Sequence, residues 1–582
     1  MKKEKLHNLR HSLAHLLAAS VLELYPGTKN TIGPSIEDGF YYDFEFTSPI
    51  SEKDLLKIEK RMKELLKKWV KFEHKEKNEE EAKKYFKENE YKIELINEIK
   101  EKGEKITFYT CGDFTDLCRG GHLDNPSKEI NPDSFKLDRI AGAYWRGNEK
   151  NKMLTRIYGL AFDNKEELEQ YINQREEAKK RDHKKLGKEL DLFTFSELVG
   201  SGLPLWTPRG TLIRGLLDDF VWELRRKVGY EKVEIPHITK KDLYITSGHW
   251  DKFKDELFRI ETREGHEFAM KPMNCPHHTQ IYARKPWSYK ELPQRYANTT
   301  VCYRDEQTGE LSGLSRVRAF AQDDAHVFCQ MNQVKEEFLK IWDIIHTFYG
   351  VFGFNLKVRL STHDPKHMEK YLGDEKKWEE AVNILKEIIK DKKVDAIDGT
   401  GEAAFYGPKL DFMAKDSIGR EWQVATIQLD MNMPERFDLT CINEKGQKER
   451  IVMLHAAIMG SIERFLSVLI EHNAGIFPLW LSPIQAKIIP VRENHNAYAK
   501  ELSDMLKENN IRVDLDNREG NLGGKVRDAK NNKIPYWIVI GDKEVESGKI
   551  TLESFKKGQL GLLSKEEILE KFKSEILNKI NE

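Results

Sequence analysis

Four stretches in the middle of the chain, "YANTTVCYRD", "VRAFAQDDAHVFC", "AAFYGPKLDFMA" and "EWQVATIQLDMNM", restrict the fold most. Each is apolar over the length of a strand and rich in β-branched and aromatic residues. They are joined by turns, without regular crossover helices, so the expected sheet is antiparallel and not a doubly wound parallel one. One such sheet does not use up 582 residues, because a single hydrophobic core rarely grows past about 250 to 300 residues. Two to four domains are expected.

The flanking patterns divide the rest. "HSLAHLLAASVLELYPG" has helical apolar spacing closed by Pro26 and Gly27, "DGFYYDFEF" alternates as a strand, "EKDLLKIEKRMKELLKKW" is helical and "ITFYT" reads as a strand. The Gly- and Asp-rich "CGDFTDLCRGGHLDNP" reads as a loop that serves a site. These make an α+β unit over residues 1–163. Residues 164–195 carry a charged helix with little apolar face, expected to be an exposed connector with a basic end. Residues 196–480 open on a long amphipathic helix in "TPRGTLIRGLLDDFVWELRRKVGYEKVEIP", stopped at Gly229 and followed by a short strand ending at Pro236. After "HNAGIFPLWLSP" strand and helix alternate, giving a small α/β unit over residues 481–582.

Composition excludes several classes. With 39% apolar and 33% charged residues the chain is neither disordered nor a membrane protein, and no stretch approaches the roughly 20 apolar residues of a span. "MKKEKLHNLRHSL" leads into no signal-peptide core, so a cytoplasmic protein is expected. A net charge of -1 supplies no long-range attraction for phosphate, and a nucleic-acid partner would have to be held by local basic patches. Six scattered cysteines make a poor disulfide framework and leave thiols reduced.

Three groups of residues carry chemistry. Cys275 stands in "KPMNCPHHTQ", His326 in "FAQDDAHVFC" and His455 in "VMLHAAIMGSIERFL". A thiolate and two neutral imidazoles suit zinc, although each of these residues taken singly also reads as an ordinary core side chain. Next, "YRDE" (303–306), "SGLSRVRAF" and "GSIERF" (460–465) bring arginines from a strand, a loop and a helix. The guanidinium fork meets phosphate oxygens bidentately, so three such residues can clamp a polyphosphate. Finally, "HSLAH" puts His11 and His15 one helical turn apart, and "DLCRGGH" offers Asp116, Cys118 and His122. HxxxH with CxxxH has metal-ligand spacing, while an i, i+4 histidine pair also occurs on helices with no such role.

"KVEIP", "YRDE" and "GSIERF" resemble the three signature motifs of class II aminoacyl-tRNA synthetases. "MKPMNCPHH", "SRVRAFAQDDAH", "GEAAFYGPKLDF", "WQVATIQLD" and "LHAAIMGSIERF" resemble threonyl-tRNA synthetases, and the likeness runs through nearly the whole chain. It implies an α+β multidomain protein: an editing domain at 1–163, a linker helix at 164–195, an antiparallel class II catalytic domain at 196–480 and an α/β anticodon-binding domain at 481–582. It implies zinc on Cys275, His326 and His455, one ion per subunit, selecting threonine against the near-isosteric valine through the substrate hydroxyl. Gln322, Asp324, Tyr406 and Gln428 would also hold threonine. Arg304 would grip the α-phosphate of ATP and Arg464 the γ-phosphate. Glu306, Arg316 and Phe320 would place adenine and phosphates, Gln423, Thr426 and Ser461 would line the same pocket, and Mg2+ would accompany ATP.

In the editing domain the resemblance implies hydrolysis of seryl-tRNA(Thr) by His11, His15, Asp116, Cys118 and His122, with Tyr42 and Lys92 beside them and without a metal. Asn517 and Glu544 would read anticodon bases of the partner, tRNA(Thr). A homodimer is implied, built on the segment after Pro208. The likeness starts at the editing domain, whereas most bacterial members begin with a small ubiquitin-like domain. Glu553 and Ala456 stand where an arginine is common.

Overall fold

A computed structural model describes residues 2–581, which fall into two compact units divided between residues 176 and 177.

In the first unit the helix Lys2–Leu24 buries Leu9, Leu13, Leu16, Leu17 and Val21 and is enclosed on all sides from Ser12 to Val21. The helix Glu52–Leu66 buries one stripe, Leu55, Ile58, Met62 and Leu66, the i, i+3, i+7 spacing of an amphipathic helix. Both share a core with a five-stranded antiparallel sheet whose long strands are Gly39–Glu45, Met153–Ala161 and Phe135–Tyr144. A smaller sheet joins Glu73–Lys77, Ile106–Cys111 and Phe114–Leu117. The last of these corrects the sequence reading, in which this stretch was all loop. Gly112, at φ +59°, turns the chain in two residues, and Cys111 pairs with Phe114 at the head of a hairpin. A short helix, Pro126–Glu129, also lies in the stretch.

The charged segment is two helices, Lys165–Arg181 and His183–Glu189, parted at Asp182, whose side chain caps the second by accepting from Lys184 N at 2.7 Å. The division between the two units falls inside the first helix.

The second unit is built on an eight-stranded sheet. In spatial order its strands are Glu231–Lys232, Gln294–Tyr303, Ala319–Cys329, Val452–Ser461, Glu421–Asp430, Lys409–Lys415, Leu356–Thr362 and Ala396–Thr400. The inner pairs are antiparallel, as the four stretches predict, and the pair at each edge is parallel. Two long helices, Val334–Val351 and Glu375–Lys392, stand where only turns were expected. The first buries Val334, Phe338, Ile341, Ile345 and Phe348 in the core that also takes the helices Pro208–Lys227 and Ile462–His472. Two expected strands are shorter than read. Only Glu231–Lys232 pairs before Pro236, and in "AAFYGPKLDFMA" the first half is a turn closed by an Ala404–Gly407 bridge.

Residues beyond 480 form a five-stranded sheet with Val513–Leu515, Ala486–Pro490 and Tyr536–Ile540 parallel and Ile550–Ser554 and Gly558–Leu563 added antiparallel. The helices Asn496–Glu508, Leu522–Asn531 and Lys565–Leu577 accompany it. Among the described residues no helix is long and apolar enough to cross a membrane.

Candidate functional site

Strand register sets Lys409, Gln428, His455, His326 and Tyr296 abreast across five neighbouring strands. Residues paired in this way project from the same face, which is why histidines 129 positions apart meet. Cys275 arrives from the first turn of the helix Cys275–Tyr282. Its Sγ and one ring nitrogen of each histidine lie within 4.8 Å of one another, all three residues buried.

Neighbouring groups hold the two rings. His326 Nε2 is 3.1 Å from His455 Nδ1. The other nitrogen of His326 meets His278 Nδ1 at 2.7 Å, and His455 Nε2 meets Asp430 Oδ2 at 3.0 Å. The Tyr406 ring stacks on His455, centroids 4.7 Å apart. Burial, with Asp324 and Asp430 adding, pushes the Cys275 thiol well above its ordinary range. Burial, with His278 and His455 adding, holds His326 well below its own. One soft sulfur and two imidazoles, each ring fixed by an outer partner, are a donor set suited to a tetrahedral divalent cation with a position left over.

A cavity of about 90 Å³ opens beside this trio, lined by Arg304, Phe320, Gln322, Asp324, Tyr406, Thr426, Gln428 and His455, and also by Met273 and Cys302. Asp324 Oδ2 accepts from Asn274 Nδ2 at 3.2 Å, and burial raises its carboxyl to about 6. Tyr406 donates to Gln428 Oε1 at 2.5 Å. The Arg304 guanidinium lies over Phe253 and Phe320, 5.3 Å from each ring centre, and its buried Nε has no hydrogen-bond partner, with Glu256 Oε2 4.0 Å away. Five expected residues do not line the cavity. Arg316 is engaged by Glu306 at 2.7 Å and Glu310 at 3.0 Å. Ser461 caps the helix Ile462–His472 by accepting from Arg464 N at 3.2 Å, and Arg464 is exposed on its first turn. Gln423 is held between Asp411 at 2.9 Å and Arg359 at 2.7 Å.

The sequence reading missed Asn274, His278, Asp430 and His249, whose Nε2 is 3.8 Å from Cys275 Sγ. Signals existed for two of them. His278 is the second member of the "HH" doublet one helical turn from Cys275, and Asp430 follows Gln428 by two residues on the same strand.

The first unit gathers a second cluster. His11, His15, Cys118 and His122 bring their ligand-type atoms within 4.8 Å of one another. Cys118 Sγ is 3.2 Å from His122 Nε2 and 3.6 Å from His11 Nε2. His11 and His122 stack, ring centres 4.3 Å apart. Alongside, Lys92 Nζ sits 2.5 Å from Asp116 Oδ1, and Tyr42 donates to Asp116 Oδ2 at 2.5 Å. Asn30 donates to the Tyr42 hydroxyl at 3.0 Å and Asn89 to Asn30 O at 2.8 Å, two positioning contacts with no sequence signal. A cavity of about 430 Å³ is lined by His11, His15, Tyr42, Lys92, Asp116 and Cys118. Burial pushes the Cys118 thiol up to about 12 and lowers all three histidines. These shifts favour a thiol over a thiolate at Cys118 and neutral over charged rings at the three histidines.

Asn517 is exposed just beyond Val513–Leu515, and Glu544 follows Tyr536–Ile540, so both stand past the carboxyl ends of parallel strands. Glu544 caps its own helix, accepting from Gly541 N at 2.9 Å.

Three family models match. Residues 106–158 match the threonyl and alanyl tRNA synthetase second additional domain, 258–473 the class II tRNA synthetase core domain (G, H, P, S and T), and 485–575 an anticodon binding domain. The threonine–tRNA ligase of Cytophaga hutchinsonii is 48% identical over 578 residues, 98% of this chain and 88% of that one. That of Porphyromonas gingivalis is 49% identical over 564 residues, 96% of this chain and 86% of that one. A crystal structure described as the RNA binding domain of threonyl-tRNA synthetase from Cryptosporidium parvum Iowa II superposes with a TM-score of 0.64 at 37% identity, covering 68% of this chain and 98% of that chain. At such identity over nearly its full length, the chain belongs to the threonine–tRNA ligase family of class II aminoacyl-tRNA synthetases.

Proposed function

We infer that this chain is a threonine–tRNA ligase that activates threonine with ATP, transfers it to tRNA(Thr) and hydrolyses the serine-charged product. Family membership carries the reaction, and the cavity beside Cys275, His326 and His455 supports the assignment of residues.

In activation a threonine carboxylate oxygen bonds to the α-phosphorus of ATP as the bond to the pyrophosphate oxygen breaks. Arg304, already over Phe320 at the cavity wall, is suited to the α-phosphate, where negative charge builds up. Arg464 would hold the γ-phosphate, Glu306, Arg316 and Phe320 the adenine side, and Gln423, Thr426 and Ser461 the rest of the pocket, where Mg2+ accompanying ATP would offset phosphate charge. Gln322, Asp324, Tyr406 and Gln428 would orient threonine, the Tyr406–Gln428 bond fixing both polar ends. Cys275, His326 and His455 fit a zinc ion. Bound there, zinc would offer an open position to the threonine hydroxyl, which valine lacks.

Serine keeps the hydroxyl and lacks only a methyl group, a difference worth about 1 to 3 kcal/mol in a pocket, so a second hydrolytic site is chemically required. In the first unit His11, His15, Cys118 and His122 would orient water toward the ester carbonyl, while Lys92, Tyr42 and Asp116 hold the polar end of the aminoacyl ribose. The ester C–O bond breaks and the ribose oxygen takes a proton. The reading assigns residues 1–163 to editing, 164–195 to a linker, 196–480 to synthesis and 481–582, with Asn517 and Glu544, to the anticodon, in a cytoplasmic homodimer.

The test is pyrophosphate exchange with threonine, serine and valine, alongside zinc content, for the parent and Cys275→Ser. Loss of both zinc and threonine-dependent exchange is expected, and a metal-free variant with full activity would refute the assignment. Cys118→Ala should leave aminoacylation intact and abolish release of serine from seryl-tRNA(Thr).

A further inference from the structure

A third cluster lies in the second unit, where Asp182, His183 and Glu471 come together at the start of the helix His183–Glu189. The segment was expected to be an exposed connector, yet His183 is 4% exposed and Glu471 7%. Its geometry is not that of a metal site, because both ring nitrogens are in use. Leu314 N–H donates to His183 Nε2 at 3.0 Å, so the proton of a neutral ring stands on Nδ1, which donates to Glu471 Oε1 at 2.7 Å. His183 N–H donates to the same oxygen at 3.1 Å, and Arg420 holds Oε2 at 2.6 Å. Burial opposes charge on Glu471, but the bonds from His183 and the Arg420 guanidinium outweigh it and keep the carboxyl below its usual range. The fit is close: a Cβ added to Gly313 would stand 2.3 Å from Nε2, and Gly313 has φ +51°.

Leu314 belongs to the segment between the strands Gln294–Tyr303 and Ala319–Cys329 that also carries Arg316. Ser315 Oγ, next to it, donates to Ser467 Oγ at 3.2 Å. Arg464, Ser467 and Glu471 are spaced by three and four residues and so share one face of the helix Ile462–His472. The helix face that bears Arg464 therefore also anchors, through Ser467 and through Glu471 and His183, the loop that bears Arg316.

We propose that His183 is a positioning residue for the nucleotide site, its Nε2 fixing the Leu314 amide so that Arg316 and Arg464 face the same ATP. This rests on the assignment of Arg316 and Arg464 to ATP made above. The test uses the full-length protein and pyrophosphate exchange at varied ATP. An asparagine reaches only the Nδ1 position and keeps Glu471, whereas a glutamine places an amide oxygen where Nε2 stands and keeps Leu314. His183→Asn and His183→Ala should raise KM for ATP about fivefold, the worth of one such hydrogen bond, with kcat and KM for threonine within twofold. His183→Gln should restore the parental KM. Deuterium exchange of the peptide spanning residues 311–318 should speed up in the asparagine variant and not in the glutamine variant, a measurement that survives a loss of activity. Equal effects of asparagine and glutamine in both assays would overturn the proposal. Arg464→Ala separates the two readings: if it leaves KM for ATP unchanged, the nucleotide-site assignment itself is wrong.

Discussion

His326 and His455 face each other on adjacent antiparallel strands, Nε2 of one 3.1 Å from Nδ1 of the other, and each has its far nitrogen taken by a different residue. Outer partners of this kind fix ring orientation, and their loss typically costs about 10- to 100-fold in metal affinity. His278→Phe keeps the bulk of the ring and removes the contact to His326. The expected result is zinc affinity weaker by that factor in chelator competition, with the protein still folded. Affinity equal to the parent would mean that His278 only fills space.

Gly407 decides where Tyr406 can stand. A Cβ at this position would lie 2.0 Å from Leu429 O, and since the obstacle is backbone in a central strand it cannot swing aside. Gly407→Ala should push the Tyr406 segment away from His455 and Gln428, raising KM for threonine several-fold more than KM for ATP. Tyr406→Phe, which removes only the bond to Gln428, should give a smaller shift of the same kind. Steady-state exchange kinetics check both.

The trio Cys275, His326 and His455 was named through the likeness to threonyl-tRNA synthetases, since each residue taken singly reads as an ordinary core side chain, and the fold brings the three together. The supports of Tyr42 in the first unit were not legible. Asn30 and Asn89 act through main-chain and hydroxyl contacts that any polar loop residue could make, so nothing in "TKNTIG" or "KENEYK" marks them. The helix Val334–Val351 carries a plain amphipathic spacing, masked by the strand-like runs on either side. The hairpin at Gly112 was hidden because the glycine that reads as loop is the one that makes a two-residue turn between paired strands. His183 was lost inside a run of lysines and glutamates, where burial has no sequence marker.

Lys92 and Asp116 are each 1% exposed and 2.5 Å apart, so neither charge is tolerable alone. Removing one partner of a buried pair costs about 3 to 5 kcal/mol, because the survivor is left desolvated and unpaired. Lys92→Met should lower the melting temperature more than Asp116→Asn does. The double variant should be more stable than Lys92→Met, the coupling that thermal melts of the four full-length proteins would measure. Additive losses would mean that the two groups stabilise the first unit independently.

Lys271 gives the clearest dependence on pH. It is fully buried, its ammonium donates to Thr300 Oγ1 at 2.9 Å, and burial lowers it to about 8 although Cys302 and Asp324 act to raise it. Between about pH 8 and the unfolded value near 10.4 the unfolded chain binds more protons than the folded one, so stability rises with pH through that window. Below it the charged lysine weakens the fold by up to about 3 kcal/mol. Lys271→Met should therefore melt higher than the parent at pH 7, with the advantage largely gone at pH 10. A difference in melting temperature that stays the same at both pH values would show that Lys271 does not titrate between them.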